Sequence, residues 1–271
     1  MRRWLSILAV VLSLSLQAQS YQQLVRQGFE AMAADSLPQA ELLFRQALQE
    51  APGAQANALI YGQLAAIAER QGKEKDALED YAEGLRLSPQ SLSLLLGRGS
   101  LYLKLGREDR ARADYDAVLA VRADHPEALV MRAYAYQCSR LFKEARADYE
   151  RLLRLQPTHE QALLGLALVN DKDRRPRESM DLVNRAIELY PTHAGGYALR
   201  AGFEADRRQY ELAEADYNEA IRLSPTDASL YLARAQFYMR MKKKQQARED
   251  AQRAARLGAT AEEIAGALEL K

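Results

Sequence analysis

The strings Leu155-Gln156-Pro157-Thr158-His159, Leu189-Tyr190-Pro191-Thr192-His193 and Leu223-Ser224-Pro225-Thr226-Asp227 decide the fold, because their prolines stand 34 residues apart. Stepping back by the same interval reaches Ala123 and then Pro89; stepping forward reaches Ala259. Pro52 lies 37 residues before Pro89, so the first connection carries three extra residues around Gly53 to Asn57. Seven units follow, near 21–54, 58–91, 92–125, 126–159, 160–193, 194–227 and 228–259.

Side-chain size keeps its place within the period. The eighth residue is always small (Gly28, Ala65, Gly99, Ala133, Ala167, Ala201, Ala235), and so is the twentieth (Ala40, Ala77, Ala111, Ala145, Ser179, Ala213, Ala247). The fourth is large and apolar, and the twenty-fourth is aromatic in five of the seven units, with Val183 and Ala251 the exceptions. Small residues let two helix axes approach closely and large ones fill the gaps beside them. A polar turn such as Lys104-Leu105-Gly106-Arg107 divides each unit, which predicts two antiparallel helices joined by a short turn.

A 34-residue helix-turn-helix unit with two small sites and a closing proline resembles the tetratricopeptide repeat. The likeness runs from about Tyr21 to Ala259. It implies an all-α fold, an α-solenoid with a right-handed superhelix of seven units. Unit five departs most, with Asn170 and Val183 where other units favour Tyr. Residues 260–271 are expected to form a short capping helix: Thr260-Ala261-Glu262-Glu263 has capping-box spacing, and Ile264, Ala267 and Leu268 share the face that covers the last repeat.

One pair varies together between units. The seventh residue is Arg98, Arg132, Arg200 and Arg234 in units three, four, six and seven, and the twenty-third is Asp114, Asp148, Asp216 and Asp250. Unit five has Leu166 with Leu182, and unit two has Leu64 with Asp80. This predicts a structural ladder of Arg–carboxylate pairs, within or between repeats, directional enough to fix register.

Lys and Arg number 38 against 37 Asp and Glu, a balance that argues against a nucleic-acid partner. No metal-binding His pair, nucleophile elbow or phosphate loop is present, so no catalytic residue, metal or cofactor is expected. Gly97-Arg98-Gly99 lacks the third glycine of a dinucleotide fingerprint. His125, His159 and His193 recur at the last site of their units and read as residues near a helix start, with a pH-sensitive edge as the second reading. Cys138 stands alone, excluding an internal disulfide, and reads as a small buried apolar residue. Basic runs at the turns, Arg174-Arg175-Pro176-Arg177, Arg207-Arg208 and Lys242-Lys243-Lys244, read as solvated turns or as a positive stripe for an anionic partner.

Residues 1–18 carry the marks of a signal peptide: Arg2 and Arg3, an uncharged run from Trp4 to Leu16, and a small residue, Ala18, at the cleavage site. The run is shorter than the roughly 20 residues that span a bilayer, which favours cleavage over an anchor. The expected location is periplasmic, with full secretion as the alternative.

The resemblance also implies a binding surface. In such proteins the first helices line a concave groove through their second, fifth, ninth and twelfth residues. Here these include Val25, Phe29, Leu96, Leu103, Val130, Tyr134, Leu164, Leu168, Leu232 and Met239, while unit six offers only Gly195, Ala198 and Gly202. Burial of these side chains by the next repeat is the competing reading. The Lys and Asn with which some family members grip the acidic C-terminus of cytosolic chaperones are absent from the fifth and ninth sites. The expected function is an exported, non-catalytic scaffold holding a partner protein segment. The alternatives are a self-associating component of an envelope assembly, using an apolar N-terminal face around Phe29 and Phe44, and an accessory to an enzyme.

Overall fold

The computed structural model describes residues 19–269; the proposed signal peptide at 1–18 lies outside them, as do the last two residues of the expected cap segment. The described residues form 15 helices. The first, α1, spans residues 19–33. Then follow α2 (Leu37–Glu50), α3 (Asn57–Arg70), α4 (Glu74–Leu87), α5 (Leu92–Lys104), α6 (Glu108–Val121) and α7 (Pro126–Cys138). Beyond these lie α8 (Phe142–Leu155), α9 (Glu160–Lys172), α10 (Pro176–Leu189), α11 (Ala194–Asp206), α12 (Tyr210–Leu223), α13 (Ala228–Arg240), α14 (Lys244–Arg256) and α15 (Ala261–Leu268). The chain divides into two compact units, one running to Ala135 and the other from Tyr136.

Two kinds of turn generate the period. Within a repeat, the first helix ends in a Schellman closure, in which the residue three beyond the last helical one donates its N–H five residues back. Examples are Ser36 to Ala31, Arg107 to Tyr102 and Lys243 to Tyr238, at 2.8–2.9 Å. The closure needs one left-handed residue, and every repeat supplies it at its fifteenth site: Asp35, Gly72, Gly106, Arg140, Arg174, Arg208 and Lys242, with φ of 57–70°. Between repeats, the Leu-x-Pro-Thr-His strings are β-turns with proline at the second position. His159 N–H donates to Gln156 O at 3.0 Å and His193 N–H to Tyr190 O at 3.0 Å. The longer first connection is tied down by the buried Asn57, which donates to Ala51 O at 2.6 Å and accepts from the Tyr21 hydroxyl at 2.9 Å.

The core follows the side-chain sizes. The seven small residues at the twentieth site are fully buried, as are the five alanines at the eighth. Against them lie Phe44, Tyr115, Leu129, Leu152, Leu163 and Val183, all with essentially no exposure. In the first unit α3 packs on α4 and α5 on α6; in the second, α9 pairs with α10, α11 with α12 and α13 with α14. Glycine at the sixth site admits large rings. A Cβ at Gly97 would sit 2.4 Å from the Tyr81 hydroxyl, and one at Gly165 would sit 2.4 Å from Tyr149 Cζ.

The last helix closes the array. Thr260 Oγ1 accepts from Glu263 N–H at 3.3 Å, while the Glu263 carboxylate accepts from Thr260 N–H at 2.8 Å. This capping box opens α15, which lies against α13 and α14 and buries Ala267.

Candidate functional site

The polar ladder is built from two helices of one repeat. Arg98 donates from Nε and Nη2 to both oxygens of Asp114, at 2.9 and 2.7 Å. Arg200 grips Asp216 in the same way at 2.6 and 2.9 Å, and Arg234 grips Asp250 at 2.8 and 2.7 Å. The ladder also crosses between repeats. Arg200 Nη1 donates to Asn184 at 2.8 Å, Arg234 Nη1 to Asn218 at 2.5 Å and Arg132 Nη1 to Asp116 at 2.6 Å. Each of these acceptors is the twenty-fifth residue of the preceding repeat. Unit two, with Leu64 in place of arginine, draws its cation from the same site: Arg45 lies 3.6 Å from Asp80. Asp148 is buried. The carboxylates sit inside the helix pairs, where losing the cation strands a buried charge.

The first-helix faces carry apolar side chains in an intermediate state of exposure. In the first unit Val25, Phe29, Leu96 and Leu103 are half-buried, and Phe29 meets Phe44 edge-on at 5.3 Å. Tyr134 is 46% exposed. Val130 departs from the expected groove: it is only 9% exposed, packed into the helix layer instead of lining a surface. In the second unit Leu164 and Leu168 are half-buried against a core containing Phe203, and Leu232 and Met239 against one containing Phe237. Unit six leaves its face bare at Gly195 and Gly202, and a Cβ at Gly195 would only just touch Leu164.

Leu59 was not singled out by sequence reasoning. It occupies the second site of unit two, is 56% exposed, and lines a cleft of about 200 Å³ with Gly62, Gln63, Tyr81, Ser93 and Leu94. The signal was present as glycine at a fifth site otherwise apolar, which opens space beside Leu94. A second cleft, of about 460 Å³, lies beside Leu78, Tyr102, Arg107 and Arg110.

Three expectations need correction. Cys138 is exposed, not buried. It ends α7 at the thirteenth site, where Arg70, Lys104, Lys172, Asp206 and Arg240 are likewise exposed. Phe44 is fully buried and adds nothing to an N-terminal contact face. Val130, as above, belongs to the core. The histidines serve local structure: Nδ1 of His125 and of His159 accepts the N–H of Ala128 and Ala162, at 3.4 and 3.3 Å. His193 stacks on Tyr190 at 5.3 Å and meets Glu160 at 2.8 Å.

Among the described residues, no group of His, Cys, Asp and Glu is arranged to hold a metal ion. No described helix is long and apolar enough to cross a membrane.

Tetratricopeptide repeat family models match residues 96–137, 130–194 and 228–257. A tetratricopeptide repeat protein of known structure from Parabacteroides merdae ATCC 43184 is 27% identical, with a TM-score of 0.86 over 92% of this chain and 98% of that one. PilW, described as a widely conserved type IV pilus biogenesis factor, is similar in fold alone: 19% identity, TM-score 0.65, over 78% of this chain and 97% of that one. In sequence, the DnaJ homolog subfamily C member 7 homolog of Schizosaccharomyces pombe (strain 972 / ATCC 24843) is 33% identical over 72 residues, 25% of this chain. The chain spans only 15% of the length of that relative. With the internal period, the family matches and the near-full-length structural likeness in agreement, the chain belongs to the tetratricopeptide repeat proteins, a family of protein-interaction scaffolds.

Proposed function

We propose that this protein is an exported, non-catalytic scaffold that holds an extended or helical segment of a partner protein against its first-helix faces. The observation that carries the reading is the recurrence of accessible apolar side chains at the second, fifth, ninth and twelfth sites of the first helices. Leu59 and Tyr134 stand out from the first unit, and Leu164, Leu168, Leu232 and Met239 remain half-open in the second. First helices that keep apolar groups accessible at these sites are suited to anchoring apolar residues of a partner. Export rests on the character of residues 1–18, and the absence of a nucleophile–base pair from the sequence supports a non-catalytic role.

The test uses the chain from residue 19 onward, with its mass measured in solution and partners captured from an extract of the source cells. Capture is repeated with Tyr134→Glu and with Leu168→Glu, each checked for helix content. Loss of one captured protein with the fold retained supports the reading. Concentration-dependent oligomers with unchanged capture move the function to self-association. Mass analysis of protein expressed from the full sequence tests export, with cleavage after Ala18 as the expected result.

A further inference from the structure

The left-handed site of the within-repeat turn is occupied in a way that stability does not explain. Gly72 and Gly106 take it in units two and three, where glycine suffers no clash at positive φ. In the last four repeats the same site holds Arg140, Arg174, Arg208 and Lys242, at φ of 57–63°. A side chain at positive φ brings its Cβ against the following carbonyl, so each long cation is a less stable choice than glycine. Attraction to the negative end of the first helix offsets part of that cost, but a cation one residue earlier would gain it without strain.

These four side chains are exposed, and among the described residues none has an ion-pair or hydrogen-bond partner from its side chain. Lys143, Arg177 and Lys244, on the same turns, are equally unpartnered. Four of the neighbouring acids are already engaged. Asp171 is held by Arg207 at 3.1 Å, Asp206 by Arg240 at 2.8 Å, Asp173 by Arg146 at 2.5 Å and Glu214 by Lys243 at 2.9 Å. Because turns of one kind share an edge in a stack of helix hairpins, the cations form a ridge along the second unit. Leu141 and Leu212, 39% and 54% exposed, lie among them.

We propose that this ridge, distinct from the first-helix faces, binds an acidic, extended protein segment in which carboxylates alternate with apolar residues. Arginine forks match carboxylates in a directional way, and the two leucines offer contacts for intervening apolar side chains. A peptide fits better than an anionic membrane or a nucleic acid. Glu144, Glu178 and Glu211 remain exposed and unpartnered on the same turns. They repel a continuous field of phosphates, but a peptide can set its own neutral residues beside them. The rings on these turns, Phe142 and Tyr210, are half-buried, which disfavours stacking by a base.

The test is fluorescence anisotropy of the purified chain with a labelled peptide of about fifteen residues repeating Glu-Glu-Leu, its Gln-Gln-Leu counterpart as control, at about 50 and 200 mM salt. The key variant is R140G/R174G/R208G/K242G, which removes the charges and relieves the turns, so its melting temperature holds or rises. The expected result is salt-sensitive binding of the Glu peptide alone, weakened roughly tenfold or more in the glycine variant. The variant R140K/R174K/R208K, which keeps the charge, retains most of the affinity. The proposal is overturned if the native chain does not bind the Glu peptide, binds the Gln peptide equally well, or binds undiminished after glycine substitution. Tighter binding to phosphatidylglycerol vesicles or to single-stranded oligodeoxythymidine overturns it in favour of a lipid or nucleic-acid ligand.

Discussion

Replacing Arg98 with leucine removes a ladder arginine that grips its carboxylate through two bonds and, among the described residues, has no bond to the preceding repeat. Asp114 is 4% exposed, so its charge would remain inside the α5–α6 pair without a counter-ion. A pair of charges about 4 Å apart is worth about 4 kcal/mol at an effective dielectric of about 20. Stranding a buried carboxylate costs about 3–5 kcal/mol by the same reckoning. Asp114→Leu is expected to cost less, about 1–2 kcal/mol, because the Arg98 side chain is 23% exposed and can turn its guanidinium to water. The double variant R98L/D114L is expected to cost about 1 kcal/mol, since unit five places Leu166 and Leu182 at these two sites, the first buried and the second half-buried against the core. The assay is urea unfolding followed by far-UV circular dichroism, with hydrogen exchange of the α5 and α6 amides to catch local opening of single repeats. A loss below about 1 kcal/mol for Arg98→Leu, or costs that simply add in the double variant, would refute the argument.

Arg174→Gly and Arg208→Gly should each raise stability by about 0.5–1 kcal/mol, because relief at positive φ exceeds the entropy that glycine adds to the unfolded chain; Gly106→Ala should do the reverse, and thermal melts decide both. Gly97→Ala and Gly165→Ala should each destabilise by about 1–3 kcal/mol through collision with Tyr81 and Tyr149, read as a lowered urea midpoint. Burial, reinforced by the charge of Asp216, pushes the Glu204 carboxyl up to about 7 from an ordinary value of 4.5. The folded state then holds a proton that the unfolded state has already released, so this group's contribution is lost as pH rises from about 4.5 to 7. The stability difference between wild type and Glu204→Gln should shift in favour of the variant across that window, and a pH-independent difference would contradict the assignment.

The helices were legible because the chain repeats itself. Seven aligned copies turn size into position, so Ala40, Ala77 and Ala111 mark a buried contact before any coordinate exists. Proline at 157, 191 and 225 marks the turn between repeats because its fixed φ suits the second turn position. The left-handed turn site was hidden by composition, since arginine and lysine there look like ordinary solvated residues until φ is seen. Cys138 was misjudged from its residue type, although Arg70, Lys104 and Arg240 at its equivalent sites already pointed to solvent. The Arg45–Asp80 contact stayed hidden because it joins different sites of neighbouring repeats, which comparison within a unit does not pair. Accessibility of the first-helix faces was the least legible feature. Val130 and Leu96 share a register and residue class, yet one is buried and the other half-open, which local packing decides.

The central claim is that partner protein is held on the first-helix faces. It is tested most directly by placing a photo-crosslinking amino acid at position 134 or 168, and at the exposed second-helix site Arg222 as a control, in the source cells. The account predicts one shared crosslinked protein from positions 134 and 168 and none from 222. Crosslinks confined to 222, or to other copies of the same chain, would contradict it.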